Sequence, residues 1–278
     1  MNKKKRCLAF ATATAWGLYL ILALASNAHA TDLKWYVGAK LPIMFIDDTE
    51  SKTSGTADNV LALSGALRPR IPYSSEAIVE YDTGFRLSGI LGYQIHPNIR
   101  IEGELFYGKA KIDKLTYQGV IAGFPIQLPP IDGNASGSPT QLGAMANVWY
   151  DFNPVSQWTP YAGLGLGFIR VDLANLKYDE NAIAQTIVDF FARAQGRTLP
   201  PLDPGFVPGL SQDTDTAFAW QFGAGVGYEL SDTVTLDLGY RYQNTGTLKF
   251  KGENTTGTVI SEQELKVHLF EVGIRYRF

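Results

Sequence analysis

The sequence predicts an all-β protein, a single eight-stranded antiparallel transmembrane β-barrel, and three observations carry that prediction. Segments of roughly ten residues alternate apolar and polar side chains with period two, the pattern of strands rather than helices. The connections between these segments alternate between tight turns and long polar loops, as the two rims of an outer-membrane-type barrel do. Beyond residue 30 there is no run of about 18 apolar residues to supply a membrane helix.

The chain of 278 residues is 45% hydrophobic and 18% charged, which is enough apolar content for an ordered fold and excludes a disordered or collagenous chain. Its formal charge of -3 provides no basic field for phosphate, so a nucleic-acid partner is not expected. At the N-terminus Lys3, Lys4, Lys5 and Arg6 precede an apolar stretch over 8–25 and the small-x-small sequence Ala28-His29-Ala30. This pattern predicts a signal peptide over 1–30, cut before Thr31, and leaves 31–278 as the barrel domain. Cys7 falls within the predicted signal, so the mature chain has no disulfide, thiolate metal site or thiol nucleophile. Without the four N-terminal cations, 20 Lys+Arg stand against 27 Asp+Glu, a net charge of -7.

Eight strands are read at 34–46, 80–95, 99–109, 141–152, 159–171, 217–229, 234–250 and 263–278. The first opens on Trp35 and places Lys40 on its polar face. The second carries Arg86 and ends near Tyr93 at the turn His96-Pro97-Asn98. The third alternates Arg100, Glu102 and Glu104 and closes at Tyr107, and the fourth ends in Tyr150 and Phe152. A turn over 153–158 leads to the fifth, with glycines at 163, 165 and 167 and an aromatic end at Phe168. In the sixth, Phe218, Trp220, Phe222, Ala224, Val226 and Tyr228 alternate with Gln221, Gly223, Gly225 and Gly227. After the turn at 230–233, Val234, Leu236, Leu238, Tyr240 and Tyr242 alternate with Thr235, Asp237, Gly239, Arg241 and Gln243. The last sets Phe270, Val272, Ile274, Tyr276 and Phe278 against Glu271, Gly273, Arg275 and Arg277. One face suits lipid and the other a polar lumen, and aromatics near strand ends suit interfacial girdles. Both termini are expected on the periplasmic side, at the rim of short turns.

The glycine runs are not phosphate loops, because neither a helix nor Gly-Lys-Ser/Thr follows them. They read as small inward residues that make room for long Arg and Glu side chains on neighbouring strands. The lumen charges Lys40, Arg86, Arg100, Glu102, Glu104, Asp237, Arg241, Glu271 and Arg275 form the sharpest constellation. An eight-stranded interior is only wide enough to be filled by side chains, so these charges are expected to pair across the barrel. They form a structural plug or, alternatively, a gated path for small solutes.

Catalysis has little to draw on. After signal removal only His96 and His268 remain, at opposite ends, with no serine two residues after His268 and no carboxylate beside it in sequence. No nucleophile–base–orienter set and no zinc site assembles, and no cofactor is expected. The four connections 47–79, 110–140, 172–216 and 251–262 are read as surface loops. Loop one opens with Asp47, Asp48 and Glu50, and loop two holds Phe124, Ile126 and Leu128. In loop three Ile183, Ile187, Phe190, Phe191 and Ala194 follow helical spacing before Pro200-Pro201, predicting a short amphipathic helix that covers the mouth or docks a partner.

Four stretches together resemble the opacity-type outer-membrane proteins and the membrane domain of OmpA-like proteins. These are Tyr161-Ala162-Gly163-Leu164-Gly165-Leu166-Gly167, the run from Phe222 to Leu230, Leu236-Asp237-Leu238-Gly239-Tyr240-Arg241-Tyr242, and the ending Gly273-Ile274-Arg275-Tyr276-Arg277-Phe278. The resemblance implies a non-enzymatic bacterial surface protein in the outer membrane, with a structural and interaction role. Its implied partners are outer-membrane lipid and lipopolysaccharide, host or matrix ligands met by the loops, and the insertion machinery that reads Tyr276 and Phe278. A narrow porin-like channel is the alternative.

Overall fold

The computed structural model describes residues 34–57, 60–61, 67–68, 71–118, 131–133, 135–152, 157–173, 177–178, 189, 192–193, 196, 213–254 and 257–278. Its first strands are β1 (Trp35–Ile46), β2 (Thr49–Ala57), β3 (Val60–Leu61), β4 (Leu67–Arg68), β5 (Ile71–Tyr81) and β6 (Gly84–His96). Next come β7 (Ile99–Lys109), β8 (Ile112–Gln118), β9 (Ile131–Gly133), β10 (Ala135–Ser136), β11 (Thr140–Asp151) and β12 (Trp158–Asp172). The chain continues through β13 (Lys177–Tyr178), β14 (Thr214–Glu229), β15 (Val234–Thr245), β16 (Leu248–Asn254), β17 (Gly257–Gln263) and β18 (Lys266–Arg277).

Eight of these close a barrel in the order β1-β18-β15-β14-β12-β11-β7-β6, with β6 returning to β1 and every pair antiparallel. Closure leaves no unpaired strand edge along the wall. The barrel strands follow the predicted segments, and their alternation is visible in burial. In β11, for example, Gln141, Gly143, Met145, Asn147, Trp149 and Asp151 are buried while the residues between them are exposed. The exterior shows Leu41, Leu105, Leu164, Phe168, Leu238 and Val272. Aromatic pairs mark both ends. Trp35–Tyr93 and Trp158–Tyr228 lie at the end of the short turns, and Phe45–Phe270 and Phe168–Phe218 at the end of the loops.

The sequence reading is corrected at the loop end. Much of what reads as loops over 47–79, 110–140 and 251–262 is a second, six-stranded sheet in the order β16-β17-β2-β5-β8-β9. The barrel strands break at a common level. There Asp47 N–H donates to Lys266 O, Asp82 N–H to Lys111 O and Gly246 N–H to Phe218 O. Beyond it the wall resumes as an open collar. Strand β2, Thr-Glu-Ser-Lys-Thr-Ser-Gly-Thr-Ala, has no apolar face, so period-two reasoning cannot see it.

Among the described residues the six-stranded collar has no strand on the side where β12 and β14 end. Its β16 edge is capped, because Lys249 N–H donates to Asp215 Oδ2 at 2.7 Å and Lys251 N–H to Asp213 Oδ2 at 3.1 Å. Carboxylates that satisfy edge amides protect a free strand from pairing with another chain.

Candidate functional site: the barrel lumen

The inward residues of the eight strands form layers that succeed one another from the turn end to the loop end. Near the turns, Arg100 donates from Nε to Asp151 Oδ2 at 2.7 Å and from Nη1 to Glu102 Oε1 at 2.8 Å. Tyr36 O–H and Trp149 Nε1–H also donate to Glu102, at 2.7 and 2.8 Å. Beside them Arg275 grips Asp237 with two bonds of 2.6 and 2.8 Å. One layer up, Lys40 Nζ lies 3.2 Å from Glu271 Oε1 and 3.9 Å from Glu102 Oε2. Arg241 bridges Glu104, at 2.5 and 3.1 Å, and Glu271, at 2.8 Å from Nε.

Among the described residues the buried lumen charges balance, with Lys40, Arg86, Arg100, Arg241 and Arg275 against Glu102, Glu104, Asp151, Asp237 and Glu271. Burial makes that balance necessary, since an ion stripped of water without a partner is strongly destabilising. Asp151, Tyr36 and Trp149 are members that sequence reasoning missed. Their signal was present, because each sits on the inward parity of its strand.

Arg86 departs from the expectation that every lumen charge pairs with an opposite one. It is 1% exposed and forms no ion pair with a carboxylate among the described residues. Its Nη2 donates to Gln141 Oε1 and Gln243 Oε1, its guanidinium lies 3.9 Å from the centre of the Phe106 ring, and its Nε and Nη1 have no partner. The physical reason is a relay of amides. Gln243 donates to Gln221, Gln221 to Asn147 and Asn147 to Glu104, at 3.0, 2.6 and 3.2 Å. Every amide turns its oxygen toward Arg86 and its N–H toward Glu104, so a line of aligned dipoles joins the cation to the anion.

Above this amide layer the lumen is apolar, which corrects the expectation of a polar interior. Met44, Ile46, Phe106, Met145, Ile169, Val171, Ala219, Val267 and Leu269 pack with Leu248, Phe250 and Leu265 in one buried cluster. The sequence signal is the loss of alternation near these strand ends, as in Ile43-Met44-Phe45-Ile46 and Phe168-Ile169. Both faces are apolar there, one toward the outside and one toward the plug.

Glycines make this filling possible. Six large inward side chains fold over a directly paired glycine: Tyr36 over Gly92, Phe106 over Gly143, Trp149 over Gly163, Arg241 over Gly223, Tyr161 over Gly225 and Glu271 over Gly239. A Cβ at Gly223 would lie 2.5 Å from Arg241 Cγ, and one at Gly225 2.5 Å from the Tyr161 hydroxyl. The spacer reading therefore extends from Arg and Glu to the aromatics.

Of the remaining sequence-predicted residues, Tyr276 is outward and exposed, and Phe278 N–H donates to Trp35 O at 2.9 Å. The loop-three stripe Ile183, Ile187, Phe190 and Phe191 and loop-two residues 124, 126 and 128 lie outside the described residues. His96 accepts from Asn98 N–H within its turn at 3.4 Å. His268 does have a carboxylate beside it. The pairing of β1 with β18 brings Asp47 Oδ1 to 3.1 Å from Nε2, while Tyr240 O–H meets Nδ1 at 2.7 Å. Sequence alone missed this contact because the two strands come from opposite ends of the chain. Among the described residues no group of three or more His, Cys, Asp or Glu is placed to hold a metal ion.

An uncharacterised protein of Brucella abortus (strain 2308) is 26% identical over 211 residues, covering 68% of this chain and 66% of that protein, just under two thirds of its length. The opacity protein opA60 of Neisseria gonorrhoeae is 30% identical over 140 residues, covering 46% of this chain and 49% of the relative. The crystal structure of neisserial surface protein A aligns over 88% of this chain and 97% of its own, with a TM-score of 0.36 and 21% identity. The model of the outer membrane protein beta-barrel domain family matches residues 16–278, and the chain belongs to that family.

Proposed function

We propose that this barrel is a surface-interaction protein of the bacterial outer membrane, whose sealed wall carries a collar and loops to partners outside the cell. The observation that carries the reading is the filled lumen. Charge pairs, an amide relay and an apolar cluster succeed one another along the barrel, while the wall continues past the girdle as a collar. Effort spent on closing the lumen favours presentation over transport. In this reading the segment 1–30 is a removed signal peptide, both termini face the periplasm, and Tyr276 and Phe278 serve as the insertion signal. Lipopolysaccharide surrounds the loop end, and host or matrix ligands meet the loops.

The test is deletion of residues 173–212 from the mature protein, scored for binding to host cells and matrix proteins. Loss of binding with the barrel still inserted supports the reading, and unchanged binding counts against it. The competing reading, a narrow solute path, has one observation in its favour: Arg86 keeps two guanidinium nitrogens, Nε and Nη1, without a hydrogen-bond partner at the boundary between the charged and apolar layers. Single-channel recording in a planar bilayer separates the two. Discrete steps altered by Arg241→Ala or Arg86→Met would favour the channel, and a silent bilayer with verified insertion the sealed barrel.

A further inference from the structure

At its turn end the barrel narrows to a cationic mouth. The register sets Gln94 opposite Arg100, Thr235 opposite Arg275 and Tyr36 opposite Arg277, on the inward parity of their strands. These residues line a depression of about 10 Å³, room for one oxygen atom. None of its described lining residues is acidic.

The arginines are anchored from the lumen side and open toward the mouth. Arg100 commits Nε and Nη1 to Asp151, Glu102 and Tyr36, and Arg275 commits Nε and Nη2 to Asp237. Arg100 Nη2 and Arg275 Nη1 have no partner among the described residues, and neither atom is buried. The two side chains are only 3% and 8% exposed, so they are fixed groups that keep one edge open. Their guanidinium groups lie 5.8 and 5.6 Å from the centre of the Tyr36 ring, which gathers two like charges around one side chain. Arg277 adds a cation beyond the balanced lumen set, and its ion-pair contact, Glu229, is 3.9 Å away. The Thr235 hydroxyl is also unpartnered and open, since the methyl group of that side chain faces Gly227. Guanidinium edges and a hydroxyl that converge on space for one oxygen are donors in want of an acceptor. Charge-assisted bonds of this kind favour oxyanions.

We propose that the turn-end mouth binds one oxyanion of phosphate type. A single oxygen sits among Arg100, Arg275, Arg277 and Thr235, and the rest of the anion stays outside. The test titrates inorganic phosphate at constant ionic strength into the mature protein, folded in uncharged detergent micelles, and follows the arginine Nε–Hε resonances by NMR. Saturable shifts of Arg275 and Arg277 are expected. Affinity should fall about tenfold in Arg277→Gln, which leaves the buried lumen charges balanced, and less in Thr235→Val, which keeps the side-chain shape. Lys249→Gln, on the collar, should bind as the parent does. Circular dichroism reports whether each variant keeps its barrel. Glycerol phosphate, titrated in the same way, separates two sources of the group: equal affinity supports a phosphate carried by a larger molecule, and weaker binding supports the free ion. Shifts that do not saturate, affinity unchanged in both mouth variants, or an equal loss in Lys249→Gln overturns the proposal.

Discussion

Arg241 and Lys249 are both cations held by glutamates, and they occupy opposite extremes of the same molecule. Arg241 lies in the barrel with its side chain 1% exposed, bonded to Glu104 and Glu271, while Lys249 lies on the collar, 58% exposed and 2.8 Å from Glu262. In the lumen the partners are the only substitute for lost water, so removing one strands the other. On the collar, water and salt take over whatever a lost partner leaves. The geometry of an ion pair is therefore a poor guide to its worth until its burial is known.

The largest effect is expected from Arg241→Ala, which leaves buried Glu104 without a cation and Glu271 with Lys40 alone. Urea unfolding in lipid vesicles, followed by tryptophan fluorescence, should show a loss of about 3–5 kcal/mol. The matching change at Lys249 should leave the midpoint where it was. Arg86→Met sharpens the contrast inside the lumen. This side chain already leaves two guanidinium nitrogens without a hydrogen-bond partner, so its replacement by an apolar chain of similar reach should cost far less than Arg241→Ala. An equal cost would mean that the amide relay compensates Arg86 as well as a direct carboxylate would.

Next in size comes the apolar half of the plug. Leu269 is fully buried among Met44, Val267 and their neighbours, and Leu269→Ala should cost about 2–5 kcal/mol by leaving a cavity in a wall-bounded space that cannot collapse. A cost near zero would show that the loop end of the lumen is loosely filled. Smaller again is Gly225→Ala, whose new methyl group meets the Tyr161 hydroxyl. Overpacking of this kind costs about 1–3 kcal/mol, and Tyr161→Phe in the same chain should relieve part of it. Absence of any rescue would place the strain elsewhere.

These residues also show what sequence can and cannot reveal. The barrel was legible because its wall separates two environments, and the inward charges alternate with outward apolar or aromatic residues at period two. Lys40, Arg100, Glu104 and Arg275 could be assigned to the lumen on parity alone. Parity does not reveal partners, because pairing depends on register. Asp47 beside His268 joins strands from the two ends of the chain, and the bond from Gln221 to Asn147 joins strands that do not pair with each other. The collar was illegible for a different reason. Thr53 and Ser261, whose hydroxyls lie 3.0 Å apart, are paired across β2 and β17, and their buried face carries hydroxyl groups where a strand search expects apolar ones.

The smallest expected effect lies on the collar at Lys114 and Asp132, 3.0 Å apart and both largely exposed. The hydrogen bond from Lys114, and then that from Thr116, holds the Asp132 carboxyl below its ordinary value, and the bond to Asp132 raises the Lys114 ammonium. A depressed carboxyl contributes stability that is present above its unfolded value and lost as pH falls through its folded one. A raised ammonium contributes stability that is present below its unfolded value and lost as pH rises through its folded one. The pair should therefore give a shallow plateau between the ordinary carboxylate and ammonium ranges, about pH 4 to 10, declining on both sides. Asp132→Asn should flatten that plateau when unfolding midpoints are measured across pH at low salt, and high salt should flatten it in the parent protein too. A drop on the acid side that survives both the substitution and the salt would come from the lumen carboxylates instead. Burial would then govern the acid response as it governs the response to Arg241→Ala, with the exposed pair contributing nothing measurable.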